Sequence, residues 1–295
     1  MSRYSYYPGC SLHATAREYD ESIQALAGPL GLELREIDEW CCCGATPAHA
    51  IDPKAATALG MWNLAHAARG GPEPILTGCA SCFSRLRAVR SEVQADPQAA
   101  REAMTRMGVQ PAPAPEIVHI AQVLTAPDMR EKLKSLVVRP LKGLRVACYY
   151  GCLLTRPRAD DALDDAENPT ILEDLVRLTG AEAVDWPLRL DCCGASMTLA
   201  RADLVHELCG RLLVMAHERG AHCLMVACPL CHSNLDFQQD ACLRARGHEF
   251  RMPVVYLTQL IGLALGIAGT RLGLERHFVP VRLDQFLSAE EAPHA

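Results

Sequence analysis

The chain has 295 residues, of which 49% are hydrophobic and fifteen are cysteine, and its net charge at pH 7 is −6. This length suits about two domains, and an acidic chain without a dense basic run argues against nucleic-acid binding. The start lacks the apolar segment of a secretory signal. The most apolar stretch, 254–269, is shorter than the roughly 18 residues of a spanning helix and predicts a buried helix. We therefore expect a cytoplasmic protein with no transmembrane segment.

Short apolar runs alternate with helical patterns along the chain, which favours an α/β fold. A helical stripe over 171–178 follows Asn168 and Pro169, a pair suited to a helix start. Leucines at helical spacing from Leu199 onward predict another helix after Gly194. The runs that we predict as strands lie at 5–7, 32–37, 74–77, 144–150, 181–186 and 223–227.

Three cysteine landmarks occur twice in the same order, which indicates a duplicated unit. The first set is YPGC ending at Cys10, CCG at 42–44 and CASC at 79–82. The second set is YYGC ending at Cys152, CCG at 192–194 and CPLC at 228–231. The segments 117–122 and 254–259 also match each other. We place the join in 125–143, which is charged and contains two prolines, and predict domains at 1–135 and 136–295.

Each cysteine cluster is expected where a strand ends and a helix begins. Such a turn leaves backbone N–H groups free, and the helix start carries partial positive charge. Both features favour thiolates. Gly44 and Gly194 allow the backbone to turn sharply after each adjacent cysteine pair.

Clustered thiolates in a non-secreted chain of this size indicate metal binding or redox chemistry more than disulfides. Soft thiolates suit zinc, copper(I) or iron–sulfur clusters. A structural zinc site uses four ligands from closely spaced pairs, whereas the two CxxC motifs lie 145 residues apart. Each half offers five motif cysteines, and the usual C-x2-C-x2-C run of a [4Fe-4S] protein is absent.

The pattern of one cysteine, CCG and CxxC, present twice, resembles that of the CCG-domain proteins. It is most similar to the B-type subunit of heterodisulfide reductase and its bacterial relatives. The resemblance covers roughly residues 4 to 260. Its motifs are YYPGCSLHATAREYD, WCCCGAT, TGCASCFSRL, ACYYGCLLTRP, DCCGAS and CPLCHSNLD.

The resemblance implies two pseudo-symmetric CCG domains, each a small sheet flanked by helices, with a noncubane [4Fe-4S] cluster at the strand-to-helix turns. One cluster would be held by Cys10, Cys42, Cys43, Cys79 and Cys82. The other would be held by Cys152, Cys192, Cys193, Cys228 and Cys231.

The resemblance also implies that the chain is catalytic and carries out disulfide/dithiol or sulfane-sulfur redox chemistry between its two clusters. The substrate would be a small thiol or disulfide. No GxGxxG fingerprint of a flavin or dinucleotide is present. Electrons would therefore come from the ferredoxin-like and flavin-containing subunits of a heterodisulfide-reductase-like complex.

Several polar and sulfur residues near the motifs have more than one interpretation. The first motif reads CCCG, so Cys41 competes with Cys42 by register, and Cys148 lies near Cys152. His13, Arg17 and Arg156 follow the single cysteines and could anchor a substrate anion or form surface salt bridges. His119 and His232 are expected to be core residues or to bond to a cluster sulfur. Buried small hydrophobes are expected at Cys209, Cys223 and Cys242.

Two other functions fit the same cysteines. CCG domains also occur in glycolate-, lactate- and succinate-type oxidoreductase complexes, where the chain would be an electron-transfer subunit without its own substrate. A zinc-stabilised scaffold is the third hypothesis. Iron, sulfide and zinc analysis separates it from the other two.

Overall fold

Two four-stranded parallel sheets, one in each half of the chain, form the framework of the protein. The computed structural model describes residues 2–45, 47–155 and 163–287. The strands are β1 Ser2–Tyr6, β2 Leu32–Glu36, β3 Ile75–Thr77, β4 Ile117–His119, β5 Arg145–Tyr149, β6 Glu182–Val184, β7 Cys223–Val226 and β8 Val254–Tyr256. Their order is β2-β1-β3-β4 in the first sheet and β6-β5-β7-β8 in the second.

Helices connect and cover these strands, so the α/β class and the two similar domains expected from the sequence are confirmed. In the first half they are α1 Gly9–His13, α2 Arg17–Leu30, α3 Pro47–Ile51, α4 Pro53–Gly70, α5 Ala80–Ala95, α6 Pro97–Arg106, α7 Ile120–Thr125 and α8 Pro127–Leu136. In the second half they are α9 Ile171–Leu178, α10 Ala202–Glu218, α11 Pro229–Asp236, α12 Gln239–Arg244 and α13 Leu257–Ala264.

The two sheets have the same topology. In each sheet this topology brings the motif cysteines together beyond the carboxyl ends of the strands. Strand β2 pairs with one side of β1, and β3 pairs with the other side. β5 lies between β6 and β7 in the same way, so the order of strands changes direction at β1 and at β5. Ligands of open parallel sheets bind beyond the carboxyl ends of the strands at such a switch point. Cys10 and Cys79 follow the two strands at the first switch point, and Cys152 and Cys228 follow those at the second.

Three local predictions differ from the structure. The segment predicted as one buried helix at 254–269 is strand β8 followed by helix α13, both buried. Helix α9 begins at Ile171 with Thr170 as its N-cap, not at Asn168 and Pro169. The helix predicted from Gly194 begins only at Ala202, after a short 3-10 turn, and leaves Leu199 exposed. At 254–256 the pairing of β8 with β7 replaces helix with strand, because tertiary pairing overrides the local pattern.

Buried contacts join the two halves, and most of them involve α2 of the first half. Tyr19 stacks on Tyr256 with ring centroids 4.0 Å apart. The Ser22 hydroxyl lies 2.6 Å from the Thr258 hydroxyl and also donates to the Tyr19 carbonyl. The segment predicted as the join contains helix α8, and the boundary at residue 135 stays a prediction. Within the described ranges, no helix has both the length and the hydropathy needed to cross a membrane.

The Ser22–Thr258 pair allows a test of this packing. Ser22→Ala leaves the buried Thr258 hydroxyl without its partner and should lower the free energy of unfolding by about 1–3 kcal/mol. In Ser22→Ala/Thr258→Val both polar groups are gone, so the double variant should be no less stable than Ser22→Ala alone. Anaerobic urea unfolding followed by circular dichroism measures both. Additive losses would show that the two hydroxyls do not interact.

Candidate metal centres

The first domain brings five thiols together beyond the ends of three strands. Cys10 lies in α1 after β1, the Cys42–Cys43 pair follows β2, and Cys79 and Cys82 lie at the start of α5 after β3. The Sγ atoms of Cys43 and Cys82 are 3.3 Å apart. The Cys10 and Cys42 thiols share a hydrogen bond, and the Gly44 N–H lies 3.4 Å from the Cys42 sulfur. We call this group the first thiol set.

The second domain repeats the arrangement with the equivalent residues. The Sγ atoms of Cys193 and Cys231 are 3.5 Å apart, and those of Cys152 and Cys192 are 3.7 Å apart. The Gly194 N–H lies 3.2 Å from the Cys192 sulfur. Together with Cys228, which begins α11, these residues form the second thiol set. All ten cysteines that the sequence analysis named as cluster ligands therefore lie in one of two matching groups.

A tyrosine hydrogen bond, which the sequence analysis did not anticipate, sets the register of each adjacent cysteine pair. Tyr7 donates its hydroxyl to the Cys41 carbonyl at 2.7 Å, and Tyr149 donates to the Asp191 carbonyl at 2.7 Å. Cys41 thus occupies the position of Asp191, and its own thiol faces the carbonyls of Cys42 and Leu59 at 3.5 and 3.6 Å. The sequence signal for this hydrogen bond is a tyrosine three residues before Cys10 and another three residues before Cys152.

Glycine is required next to the single cysteine of each set. Gly9 has φ +68° and Gly151 has φ +66°, a backbone conformation that favours glycine. A Cβ atom at Gly9 would lie 3.3 Å from the Cys82 sulfur, and one at Gly151 would lie 3.3 Å from the Cys231 sulfur. The missing side chain therefore keeps space beside equivalent sulfur atoms in the two sets.

The first cysteine of each CCG motif is stabilised as a thiolate. The hydrogen bond from Cys10 holds the pKa of Cys42 well below its usual value, and the bond from Cys43 and the Gly44 N–H act in the same direction. The hydrogen bond from Cys152, with help from the Gly194 N–H, lowers the pKa of Cys192 to about 6. Cys10 and Cys152, which donate these bonds, have raised pKa values because of the bonds and of burial. The first cysteine of each CCG motif therefore carries negative charge, and in the second set Cys228 does so too, because Cys231 and Cys79 lower its pKa.

The two thiol sets meet at the domain boundary. Although their CxxC motifs are far apart in sequence, the Cys79 and Cys228 thiols lie near enough to affect each other's ionisation: the pKa of Cys79 is raised and that of Cys228 is lowered. The His119 Nε2 atom lies 2.9 Å from the Gly78 carbonyl and 3.1 Å from the Ala227 carbonyl, directly before those two cysteines. The Ala121 N–H donates to His119 Nδ1, so the proton is on Nε2. Burial lowers the pKa of His119 to about 4, and the ring is a neutral bridge between the CxxC loops.

A cavity of about 70 Å³ opens against the second thiol set. It is lined by all five of that set's cysteines and, from the first domain, by Ala80 and Ser81. Five converging sulfur donors fit a soft metal group bound by thiolates. They exceed the four ligands of a structural zinc ion.

The other cysteines lie outside the two sets. Cys148 is fully buried in β5, where the ionisable groups that act on it are Glu173, Cys223, Arg177 and Arg189, none of them in a thiol set. Cys209, Cys223 and Cys242 are also fully buried, as the sequence analysis expected. Cys209 donates to the Cys193 carbonyl at 3.3 Å, a contact that no sequence pattern indicated.

The histidines and arginines near the motifs make protein contacts. His232 Nε2 lies 3.0 Å from the Val254 carbonyl and 3.1 Å from His277 Nδ1. His13 pairs with Glu36 at 3.2 Å, and Arg17 donates to the His13 carbonyl. These contacts favour the structural interpretation over substrate binding for His13 and Arg17. Arg156 lies outside the described residues.

Comparisons with known proteins agree with this duplicated arrangement. The family model of the CCG, or cysteine-rich, domain matches residues 4–87 and 146–236. The 8-methylmenaquinol:fumarate reductase membrane anchor subunit of Wolinella succinogenes is 36% identical over 286 residues, which cover 95% of this chain and 98% of that protein. The B-type subunit of the ferredoxin:CoB-CoM heterodisulfide reductase from Methanosarcina mazei is 30% identical over 285 residues, which cover 95% and 94%.

A solved structure shares the fold. The crystal structure of a hypothetical protein from Helicobacter pylori matches with a TM-score of 0.73 at 13% sequence identity. The match covers 95% of this chain and 52% of that one, so this chain spans about half its length.

The asymmetry of thiol ionisation can be tested by alkylation of reduced, metal-free protein. Cys42 and Cys192 are exposed and stabilised as thiolates, so they should react first with iodoacetamide at pH 7. Cys10 is also exposed, but its raised pKa should make it slower, which provides the control. The rate at Cys192 should level off above about pH 7, because its pKa is about 6, whereas an ordinary thiol of pKa about 8.5 continues to gain reactivity. Peptide mass spectrometry measures each rate, and equal rates at Cys10 and Cys42 would contradict the assignment.

Proposed function

Because this chain belongs to the CCG, cysteine-rich domain family that includes the B-type subunit of heterodisulfide reductase, we propose that it is an iron–sulfur subunit of a multi-subunit reductase. The observation that carries the proposal is the convergence of ten thiols into two matching five-thiol sets, whose CxxC loops are joined by the His119 hydrogen bonds to Gly78 and Ala227. A protein with two adjacent sulfur-rich centres is suited to moving electrons one at a time.

Each thiol set would hold one cluster, and the five donors favour the noncubane [4Fe-4S] type. The ligands would be Cys10, Cys42, Cys43, Cys79 and Cys82 in the first domain, and Cys152, Cys192, Cys193, Cys228 and Cys231 in the second. Cys41 and Cys148 are left out of this ligand set, because their thiols face carbonyl groups or the core. When bound, an iron–sulfur cluster accepts and donates single electrons.

The chain itself would stabilise negative charge at each centre and fix the distance between the two. The Gly44 and Gly194 N–H groups point at the Cys42 and Cys192 sulfurs and offset the charge of these thiolates. His119 holds the peptide groups before Cys79 and Cys228 together. A short and constant separation favours direct electron exchange between the centres.

The chemistry that we propose is the reduction or formation of a small disulfide, or the related oxidation of sulfane sulfur. Disulfide reduction takes two electrons, and two adjacent one-electron centres match this requirement. The cavity beside the second thiol set, with Leu153 and Leu230 in its apolar lining, is where such a substrate would approach. The partners would be the ferredoxin-like and flavin-containing subunits of a heterodisulfide-reductase-like complex, in the cytoplasm.

A second candidate is an electron-transfer subunit of a fumarate- or succinate-type complex, without its own substrate. It is favoured by the 36% identity, over nearly the full length of both chains, with a subunit of a methylmenaquinol:fumarate reductase. The two candidates share the clusters and differ in whether a thiol or disulfide reaches them.

Metal analysis of matched cysteine variants tests the ligand sets. Protein purified without oxygen should contain iron and sulfide for two four-iron clusters and no stoichiometric zinc. Cys43→Ala and Cys193→Ala should each lose about half of the iron, because each removes a buried ligand of one set. Cys41→Ala is the matched control and should keep both clusters. Zinc in place of iron would overturn the proposal, and unchanged iron in Cys193→Ala would overturn the ligand assignment.

EPR spectroscopy of the loaded protein distinguishes the two candidate functions. For the disulfide function, addition of disulfides, including the CoB-CoM heterodisulfide, to the reduced protein should oxidise it and change the spectrum of one centre. For the electron-transfer function, no thiol or disulfide should change the spectrum, whereas a menaquinol analogue with a membrane fraction of the native source should reduce both centres. Fractionation of the same cells tests the cytoplasmic location.

A further inference from the structure

A buried serine of the first domain extends toward the metal centre of the second. Ser81 is the third residue of the CASC motif and lies in the first turn of α5. Ser81 is only 2% exposed to solvent, and its hydroxyl has no hydrogen-bond partner among the described residues. A buried hydroxyl without a partner lowers the stability of the folded protein by about 1–3 kcal/mol. We therefore expect a hydrogen-bond acceptor beside the Ser81 hydroxyl.

The cavity that Ser81 lines belongs to the other domain. Its sulfur groups are Cys152, Cys192, Cys193, Cys228 and Cys231. The adjacent Ala80 is the other first-domain residue in that lining, and both are at the beginning of α5, where N–H groups carry partial positive charge. The Ser81 hydroxyl is thus a hydrogen-bond donor placed across the domain boundary, among sulfur acceptors.

The duplication does not reproduce this donor. The residue of CPLC that corresponds to Ser81 is Leu230, whose side chain has no hydrogen-bonding group. The two thiol sets match in their Sγ distances and in their glycine N–H bonds. Ser81 is therefore a difference between two otherwise similar centres.

A second buried hydroxyl lies near the same boundary. Tyr19 is fully buried, and its hydroxyl also lacks a partner among the described residues. The thiols that act on it electrostatically are Cys228 and Cys79, which also affect each other's ionisation. Two unpartnered donors from the first domain thus lie beside sulfur groups at the boundary.

Resting on the proposed function, we propose that the Ser81 hydroxyl hydrogen-bonds to a sulfur of the second-domain cluster and raises its reduction potential above that of the first-domain cluster. A reduced cluster carries one more negative charge than the oxidised one, so a donor stabilises the reduced form more. An electron that reaches the first thiol set then moves to the second, which is reduced as the first is oxidised. Ser81 acts as a positioning residue that sets this direction.

An anaerobic redox titration followed by EPR tests this role on the full-length loaded protein. The single-cluster variants Cys43→Ala and Cys193→Ala assign the two signals. Ser81→Ala should make the reduction equilibrium of the second-domain cluster about tenfold less favourable. For one electron this lowers its midpoint potential by about 59 mV. The first-domain potential should not move. Ser84→Ala, which changes a serine further along α5, is the control and should change neither potential.

Ser81→Thr keeps the hydroxyl and should retain both the second cluster and its potential. If Ser81→Ala fails to load the second cluster while Ser81→Thr loads it normally, the hydroxyl is still needed and the inference stands. An unchanged second potential in Ser81→Ala, equal shifts of both potentials, or loss of the cluster in both variants would overturn it. Absence of two clusters in the wild-type protein would instead overturn the proposed function, which separates the two failures.

Discussion

The hydrogen bonds of His119 hold together the two loops on which the arrangement of the thiol sets depends. Its Nε2 proton is shared between the carbonyls of Gly78 and Ala227, and these residues follow strands of different sheets. Because burial keeps the ring neutral, the bridge introduces no charge next to the thiolates. The CxxC loops that follow are fixed relative to each other, and the thiols of Cys79 and Cys228 lie near enough to affect each other's ionisation.

Each thiol set depends in turn on the parallel sheet beneath it. Parallel strands require crossover connections, so all their carboxyl ends point to one edge, and cysteines that lie more than 30 residues apart in sequence converge there. Tyr7 and Tyr149 then bind the backbone before each adjacent pair. Gly9 and Gly151 leave room for the sulfur atoms of Cys82 and Cys231. The sulfur-rich centre is thus built by backbone geometry as much as by cysteine.

The duplication gives the protein two similar centres, but their surroundings differ. His119 of β4 has Tyr256 of β8 as its counterpart, and Tyr256 stacks between Tyr19 and His232 and does not bridge the loops. Ser81 faces the other domain's thiols, whereas its counterpart is Leu230. Two equal centres would have no preferred direction of electron flow, so such differences are where a direction can arise.

The sequence by itself determined the duplication, the α/β class, most strands and the identity of the ten motif cysteines, because these follow from residue type and local spacing. Local spacing misjudged the segment 254–269, where the pairing of β8 with β7 decides the outcome. It also misjudged the start of α9, where Asp164 accepts hydrogen bonds from the N–H groups of Thr170 and Ile171. It also favoured Cys42 over Cys41, because the second repeat uses the pair next to glycine, and the Tyr7 hydrogen bond places Cys41 opposite Asp191.

Only the tertiary structure decided how the two halves meet. The separation of 145 residues between the CxxC motifs argued against a single zinc site and did not indicate how the motifs meet, yet His119 joins their loops and Ser81 lines the opposite site. Such contacts join residues that no local pattern connects. They arise when elements of the two halves pack together, as Tyr19 of α2 does on Tyr256, and that packing depends on the whole chain and on no single motif.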